Sequence, residues 1–299
     1  MKKIAITGSN GLLGQSLLSL FLKDRENYQV SGISQAENRS GRIDFEYHSV
    51  DMTNEELLRQ CLLNLKPDYI INTAAMTNVD ACEENQQACD AINVDAVRYL
   101  TLISEEINAH LIHLSTDFIF DGKKGFYKET DVPNPLSYYG LSKLKSEEII
   151  IKSSIKHTIL RTILVYGKVF SMTRSNIVLW VKEMLENNKE ITIVEDQYRM
   201  PTFVNDLAIA CKITVDKDAT GVFHISSNQL LSVYEIAQQI AEVFCLNQCL
   251  IKPISTETLS QKALRPPKTG FDLSKTKKVL DFHPASFKED LCLFKETLI

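Results

Sequence analysis

Two residues with complementary chemistry, Tyr139 and Lys143, stand four positions apart in the stretch Tyr139-Gly140-Leu141-Ser142-Lys143. On a helix this spacing places both side chains on one face. A phenol has an ordinary pKa of about 10, and a neighbouring ammonium group favours its ionised form. The pair is therefore suited to donate a proton to an oxygen that develops negative charge. The same spacing is also common on surface helices, so the surrounding fold decides its meaning.

A third polar side chain, Thr116, follows a strand that we predict at Leu111–Ser115. Residues at the carboxyl ends of parallel strands line the ligand crevice of an α/β sheet. Thr116 can then share a substrate carbonyl oxygen with Tyr139 and polarise it for hydride attack. We predict that Thr116, Tyr139 and Lys143 act together in the reduction of a carbonyl group.

A glycine-rich loop lies between a predicted strand at Lys3–Thr7 and a predicted helix at 11–23. Such a loop permits a tight turn, lets the backbone approach a pyrophosphate, and presents a helix N-terminus to the anion. This context predicts a dinucleotide site, although a purely structural turn is the alternative. The predicted contacts in the loop are Gly8, Asn10, Gly11, Leu12 and Leu13.

The end of the second predicted strand, Gln29–Ile33, indicates which dinucleotide is bound. An NADH site would show an acidic residue here for the ribose 2′-hydroxyl, whereas this chain has Ser34, with Arg39 and Arg42 nearby. Arginines in reach favour a 2′-phosphate, so we predict NADPH, with NADH as the alternative. Solvated loop charges would explain the two arginines equally well.

Alternating strands and helices predict an α/β fold: a doubly wound parallel (Rossmann) sheet with a smaller mixed α/β substrate-binding domain. We place the NAD(P)-binding domain at 1–167 and the substrate domain at 168–299, interleaved with it. The remaining predicted strands are Tyr69–Asn72, Thr158–Val165 and Ile191–Val194, and the remaining predicted helices are 53–65, 88–108, 138–152, 174–187, 203–215 and 232–244.

Over nearly its whole length the chain resembles the dTDP-4-dehydrorhamnose reductases, a family of extended short-chain dehydrogenase/reductases. The Ser-Thr-Asp-Phe-Ile-Phe-Asp-Gly string is the most specific part of this resemblance. The matching motifs are Thr7 to Gly14, Asn72 to Asp80 with Glu83, Asn93-Val94-Asp95, Ser115 to Gly122, Tyr139-x3-Lys143, Arg161-Thr162, Val165-Tyr166-Gly167, and Pro201-Thr202 with Asp206-Leu207-Ala208.

The resemblance implies roles for individual residues. Thr116, Tyr139 and Lys143 would be catalytic, and Lys143 would also lower the tyrosine pKa and anchor the ribose of the cofactor. Further cofactor contacts would be Thr73, Ala74, Ala75, Asp51 and Met52, although Asp51 is equally well explained as a residue at a helix N-terminus.

The substrate implied by the resemblance is a nucleotide-activated 4-keto-6-deoxy sugar, with Asp117 and Phe118 near the sugar. The product would be dTDP-L-rhamnose or a related deoxysugar for surface polysaccharide. From its place before Pro266-Pro267, Arg265 could clamp a phosphate of the nucleotide; a structural loop arginine is the alternative.

Departures from the family pattern bear on the substrate. Leu164 replaces the tryptophan that packs on the sugar, and Leu12-Leu13-Gly14-Gln15 replaces a frequent variant of the phosphate loop. The related 4,6-dehydratases carry an acidic residue where this chain has Phe118, so reduction is favoured over dehydration. Two alternatives remain: a non-catalytic NADP-binding subunit resembling the regulatory partner of methionine adenosyltransferase, and a sugar-nucleotide epimerase.

Composition excludes other classes of function. With 299 residues, a net charge of −5 and basic residues spread along the chain, the protein is not expected to bind nucleic acid or a membrane. Its seven cysteines form no CxxC pair, which predicts reduced cytosolic thiols and no metal site. The uncharged stretch Ile4–Leu22 is too rich in Gly, Ser, Thr, Asn and Gln for a signal peptide or a membrane span. We therefore expect a cytoplasmic protein; a homodimer is an open expectation.

Three histidines of the strand regions, His110, His113 and His224, are interpreted as core or edge residues rather than as ligands.

Overall fold

The computed structural model describes residues 1–172, 174–259 and 261–298. Its strands are β1 (Lys2–Thr7), β2 (Tyr28–Ser34), β3 (Glu46–Ser49), β4 (Tyr69–Asn72), β5 (His110–Thr116), β6 (Gly125–Tyr127), β7 (His157–Thr162), β8 (Val165–Tyr166), β9 (Ile191–Val194), β10 (Tyr198–Arg199), β11 (Thr202–Phe203), β12 (Gly221–Ile225), β13 (Leu231–Ser232), β14 (Ile251–Ile254) and β15 (Thr269–Phe271).

The helices are α1 (Leu12–Phe21), α2 (Glu55–Leu65), α3 (Val79–Glu84), α4 (Gln86–Asp90), α5 (Ala96–Ile107), α6 (Tyr138–Lys152), α7 (Ile177–Glu186), α8 (Val204–Lys217), α9 (Val233–Val243), α10 (Ser274–Leu280) and α11 (Phe287–Glu296). A π-helical turn occupies Ala91–Asp95, and short 3-10 turns occupy Asp117–Ile119, Gln248–Leu250 and Thr256–Thr258. None of the helices in these described ranges combines the length and apolarity that crossing a membrane requires.

Seven parallel strands form the main sheet in the order β12-β7-β5-β4-β1-β2-β3. The direction of strand order reverses between β1 and β4, where Thr7 pairs with Asn72. A crevice for ligands opens beyond the carboxyl ends of the strands at such a reversal. The predicted doubly wound Rossmann sheet is thus confirmed.

Alternation along the central strands builds two cores, one on each face of the sheet. On β1, Ile4 and Ile6 belong to one core and Ala5 to the other. Helices α1 and α8 contribute Leu17 and Leu207 to the first core, and helices α2, α5 and α6 cover the opposite face. Both faces of each strand are therefore apolar, as a buried parallel sheet requires.

Two predicted elements are divided in the structure. The prediction of one strand over Thr158–Val165 is wrong at its end, because β7 stops at Thr162 and Leu164 has a φ of 42°, which no strand can contain. The short strand β8 then pairs with β11 instead. The predicted helix 88–108 is interrupted by the π-helical turn Ala91–Asp95.

Residues from the second half of the chain complete the first half. Strand β12 lies at the edge of the main sheet beside β7, and β15 pairs with β6. Neither β12, which completes the sheet, nor helices α10 and α11 were predicted. The predicted domain boundary after residue 167, and the interleaving of the two domains, remain predictions.

A buried ion pair attaches helix α6 to the sheet. Arg161 on β7 donates from Nη2 to Glu147 Oε2 on α6 at 2.7 Å and from Nε to Oε1 at 3.0 Å. The side chains are only 5% and 1% exposed. The guanidinium also donates to the backbone carbonyl of Glu129, so this buried charge has several hydrogen-bond partners.

We expect Glu147→Ala to lower the free energy of unfolding by about 3–5 kcal/mol, because it leaves the Arg161 guanidinium buried without its carboxylate. Urea denaturation followed by circular dichroism measures this loss. The control is Glu148→Ala, at an exposed neighbour paired with Lys152, which should cost less than about 0.5 kcal/mol. Equal losses in the two variants would contradict this role of the ion pair.

Candidate active site

The N-terminus of α6 is held against the turn that follows β5. Ser137 caps the helix by accepting from the Gly140 N–H at 3.3 Å. A Cβ atom at position 140 would lie 2.2 Å from the carbonyl oxygen of Phe118, so only glycine permits this approach. The contact places Tyr139, with its ring 5.7 Å from that of Phe118 in an edge-to-face arrangement, beside the carboxyl end of β5.

Thr116 stands at that end of β5 and is buried. Its hydroxyl donates to Asp117 Oδ1 at 3.1 Å and accepts from the Phe118 N–H at 3.2 Å. It also lies within hydrogen-bonding reach of the Tyr139 hydroxyl. The structure therefore brings Thr116 and Tyr139 together, with Lys143 one helical turn further along α6.

The protonation of Tyr139 differs from the sequence-based expectation. Burial raises its pKa above the ordinary value, the Asp117 carboxylate adds to the rise, and the hydrogen bond with Thr116 opposes it. The prediction that Lys143 lowers the Tyr139 pKa is therefore wrong. Burial lowers the Lys143 pKa itself to about 8, and the amine is directed to His113, with Nζ 3.0 Å from Nε2.

Asp117 is enclosed by residues distant in the sequence. Its carboxylate accepts a hydrogen bond from the Thr269 hydroxyl and lies 3.9 Å from Arg199 Nε, with both charges almost fully buried. Burial raises the Asp117 pKa, and Arg199 partly opposes that rise. The Arg199 guanidinium also lies 5.8 Å from the Phe118 ring centre. Sequence reasoning missed Arg199 and Thr269 because no local pattern links them to Asp117.

Arg265 forms a bidentate ion pair with Asp80 of α3. Its Nη2 donates to Oδ2 at 2.7 Å and its Nη1 to Oδ1 at 3.2 Å. Asp80 also accepts from the Ala263 N–H at 3.1 Å, which docks this loop on the helix. Arg265 is close enough to Arg199 to contribute to the lowering of its pKa, of which burial is the larger cause.

The glycine loop presents free backbone groups at the carboxyl end of β1. Gly8 has a φ of 70°, and a Cβ there would lie 2.7 Å from the Ala74 nitrogen, so glycine is required. Gly11 precedes α1 and cannot cap it with a side chain, and the first turn of α1 carries no acidic residue. The N–H groups in the first turn of α1 are therefore available to an anion. The loop thus fits the pyrophosphate of a dinucleotide.

Asn10, Ser34 and Arg39 are brought together beside this loop. The Asn10 amide donates to the Glu37 carbonyl at 2.9 Å and accepts from the Arg39 N–H at 2.8 Å, and Ser34 Oγ accepts from the Asn10 N–H at 3.2 Å. The Arg39 side chain is exposed, whereas Arg42 pairs with Asp44 at 2.6 Å. Arg39 is thus the arginine left available to a ligand.

The other predicted cofactor residues lie at the same edge of the sheet. Asp51 accepts from the Thr53 N–H at 2.9 Å and from the Gln35 amide at 3.1 Å, while Met52 is buried in the core. Thr73 donates to the Thr7 carbonyl at 2.7 Å. This bond holds the partly buried segment from Thr73 to Ala75 next to the glycine loop.

Asn93, from the motif Asn93-Val94-Asp95, is a buried residue that contacts helix α6. Asn93 lies in the π-helical turn, accepts from the Met76 N–H at 2.8 Å and donates to Ser142 Oγ at 3.0 Å. It therefore connects the segment after β4 to α6. A Pro- and Gly-free helical pattern carries no signal for a π turn, so only the motif pointed to this residue.

Comparison with known proteins places this geometry in a family. The family model described as the RmlD substrate binding domain matches residues 1–298. The dTDP-4-dehydrorhamnose reductase of Aggregatibacter actinomycetemcomitans is 31% identical over 97% of this chain and 97% of its own. Methionine adenosyltransferase 2 subunit beta of Bos taurus is 31% identical over 92% of this chain and 81% of its own.

A solved structure of dTDP-4-dehydrorhamnose reductase from Bacillus anthracis str. Ames, in complex with NADP, superposes with a TM-score of 0.87. It is 27% identical and the match covers 99% of both chains. The chain belongs to the RmlD substrate-binding family.

Proposed function

We propose that this protein catalyses the NADPH-dependent reduction of the C4 ketone of a nucleotide-activated 6-deoxy sugar. The expected reaction converts dTDP-4-dehydro-L-rhamnose to dTDP-L-rhamnose. The observation that carries this proposal is the meeting of Thr116 and Tyr139 at the carboxyl end of β5, on the edge of the sheet where the glycine loop also lies. The reductase relatives, one of them in complex with NADP, support it.

Tyr139 is the proton donor of the proposed mechanism. Its raised pKa keeps the hydroxyl protonated near neutral pH, so it is in the form that can donate to an alkoxide. Thr116 holds the ketone oxygen with a second hydrogen bond and so polarises the carbonyl. To do so, the Thr116 hydroxyl must turn its hydrogen from Asp117 to the substrate.

The cofactor contacts follow from the placement of the loop. The first-turn N–H groups of α1 would hold the pyrophosphate, Arg39 the 2′-phosphate, and the segment from Thr73 to Ala75 the part nearer the catalytic helix. NADPH bound there supplies the hydride. Lys143 would anchor the ribose from α6.

The proposed substrate contacts surround Phe118. Phe118 is partly exposed and packs between Tyr139 and Arg199, which makes it a surface for the sugar. Asp117 acts by fixing Thr116, Arg199 and Thr269 around this surface. Arg265 would turn from Asp80 to a phosphate of the nucleotide. The identity of the sugar is part of the proposal, because Leu164 replaces the tryptophan that packs on the sugar in the family pattern.

Two other activities are outcomes of the same assay. A regulatory subunit like the methionine adenosyltransferase relatives would bind NADPH without consuming it, and an epimerase would retain NAD⁺ without net consumption. The Thr116, Tyr139 and Lys143 set favours the reductase, since a binding subunit has no need of a proton donor. A cytoplasmic location and a homodimer remain predictions.

We expect Tyr139→Phe to lower kcat by about 10²–10⁴-fold, because it removes the proton donor while keeping the ring. The measurement is the loss of NADPH absorbance with dTDP-4-dehydro-L-rhamnose as substrate. NADPH binding, followed by its fluorescence, should be unchanged.

The matched control is Tyr138→Phe. The Tyr138 hydroxyl bonds to Asp90 and not to the site, so this variant should keep nearly full activity. Near-normal turnover of Tyr139→Phe would remove Tyr139 from the mechanism, and lack of turnover by the unmodified protein would count against the proposed substrate.

Arg39→Ala should raise the KM for NADPH by about tenfold or more, the loss expected for a hydrogen bond to a charged group. The KM for NADH should stay unchanged because NADH has no 2′-phosphate. Arg42→Ala, at an arginine already paired with Asp44, serves as the control with little effect on either cofactor. Equal changes for NADPH and NADH would overturn the assignment of Arg39.

A further inference from the structure

A buried hydrogen-bonded chain lies behind the catalytic helix and leads away from Lys143. The Lys143 side chain is 2% exposed and His113 on β5 is fully buried. The Lys143 Nζ and His113 Nε2 atoms are 3.0 Å apart. His113 continues the chain to Asn72, with 3.1 Å between Nδ1 and the Asn72 amide nitrogen.

The position of the proton on His113 follows from the orientation of Asn72. Asn72 Oδ1 accepts from the Thr7 hydroxyl at 2.7 Å and from the Ala74 N–H at 3.2 Å. The amide oxygen is therefore turned toward β1, and Nδ2 donates to His113 Nδ1. A neutral imidazole carries one proton, so that proton lies on Nε2.

The hydrogen bonds of Ser146 also require the imidazole proton to lie on Nε2. Its hydroxyl donates to the Lys143 carbonyl at 2.7 Å, so its oxygen accepts from His113 Nε2 at 3.1 Å. The Nε2–H group therefore points into the space that Lys143 Nζ also faces. An ammonium group there would set N–H against N–H, whereas a neutral amine offers a lone pair.

The charges around Lys143 do not remove this conflict. Glu147 on α6 and Cys89 on α4 raise its pKa, but burial is the larger effect and lowers it to about 8. Glu147 is also neutralised by Arg161. His113 does not take the proton instead, because burial and Lys143 hold its pKa well below the ordinary value.

We infer that His113 is a positioning residue for Lys143: it fixes the amine on the catalytic helix and weakens its hold on the proton. The amine is thus poised between its charged and neutral forms, and the balance depends on hydrogen-bond directions set by Asn72 and Ser146. As a role in the reductase reaction this inference rests on the proposed function, whereas the effect on Lys143 is a property of the free protein.

The test is a direct titration of Lys143 in the free protein. Protein labelled with carbon-13 at the lysine ε-carbons is titrated by NMR, and the Lys143 signal is assigned by its loss in Lys143→Arg. We expect Lys143 to titrate near pH 8 in the unsubstituted protein. In His113→Gln it should titrate at least about one pH unit higher, because the glutamine carbonyl offers an acceptor to the ammonium group.

His110→Gln is the matched control. His110 lies on the same strand and is also buried, but it contacts Thr158 and Asp218 rather than Lys143. The Lys143 titration should be unchanged in this variant. If His113→Gln does not fold, Asn72→Asp replaces it, because a carboxylate only accepts from Nδ1 and so moves the imidazole proton away from Nε2.

Two results would overturn the inference: titration of Lys143 together with the exposed lysines at about pH 10.4, or an unchanged pKa in the substituted protein. The dependence of kcat on pH is the second measurement. If the ammonium form is the active one, kcat falls as pH rises through the Lys143 pKa. In His113→Gln this fall should occur at a higher pH, by the same number of pH units as the shift in the Lys143 titration. Absence of reductase activity would reject the proposed function while leaving the titration result standing.

Discussion

The buried ion pair between Glu147 and Arg161 is the interaction on which the site depends, because it holds α6 at a fixed height against the sheet. Removing two charges from water is costly, and only good geometry and further hydrogen bonds offset that cost. Here the pairing is bidentate and the Glu129 carbonyl takes a further guanidinium hydrogen. Because the helix is held in this way, Gly140 packs against the Phe118 backbone and the Tyr139 hydroxyl lies within hydrogen-bonding distance of Thr116.

The parallel sheet explains why the glycine loop and Tyr139 lie at one edge. All strands of the main sheet point the same way, so the ends of β1, β4 and β5 open on the same side. The reversal of strand order between β1 and β4 leaves the crevice there. The hydrogen bond from Thr7 to Asn72 crosses this reversal and ties the two strands together at the crevice.

Burial divides the polar residues of the site into two kinds. Arg39 keeps its side chain in contact with solvent and is free to meet a ligand. Asp117, His113 and Lys143 are enclosed, and their pKa values are moved by burial toward the neutral forms. In the structure these enclosed groups are held by hydrogen bonds: Asp117 to Thr116, and His113 to Lys143 of α6.

Features contained within one or two neighbouring elements could be predicted from the sequence by itself. The glycine loop follows from a strand, a turn and a helix in succession, and the spacing of Tyr139 and Lys143 follows from the helical repeat. The tertiary structure alone decided that Lys143 faces His113, that Arg199 and Thr269 enclose Asp117, and that β12 completes the sheet. The physical reason is that a local pattern determines which face of an element is apolar, whereas contacts between distant residues depend on how whole elements pack. Burial, and with it the raised pKa of Tyr139, exists only once that packing is complete.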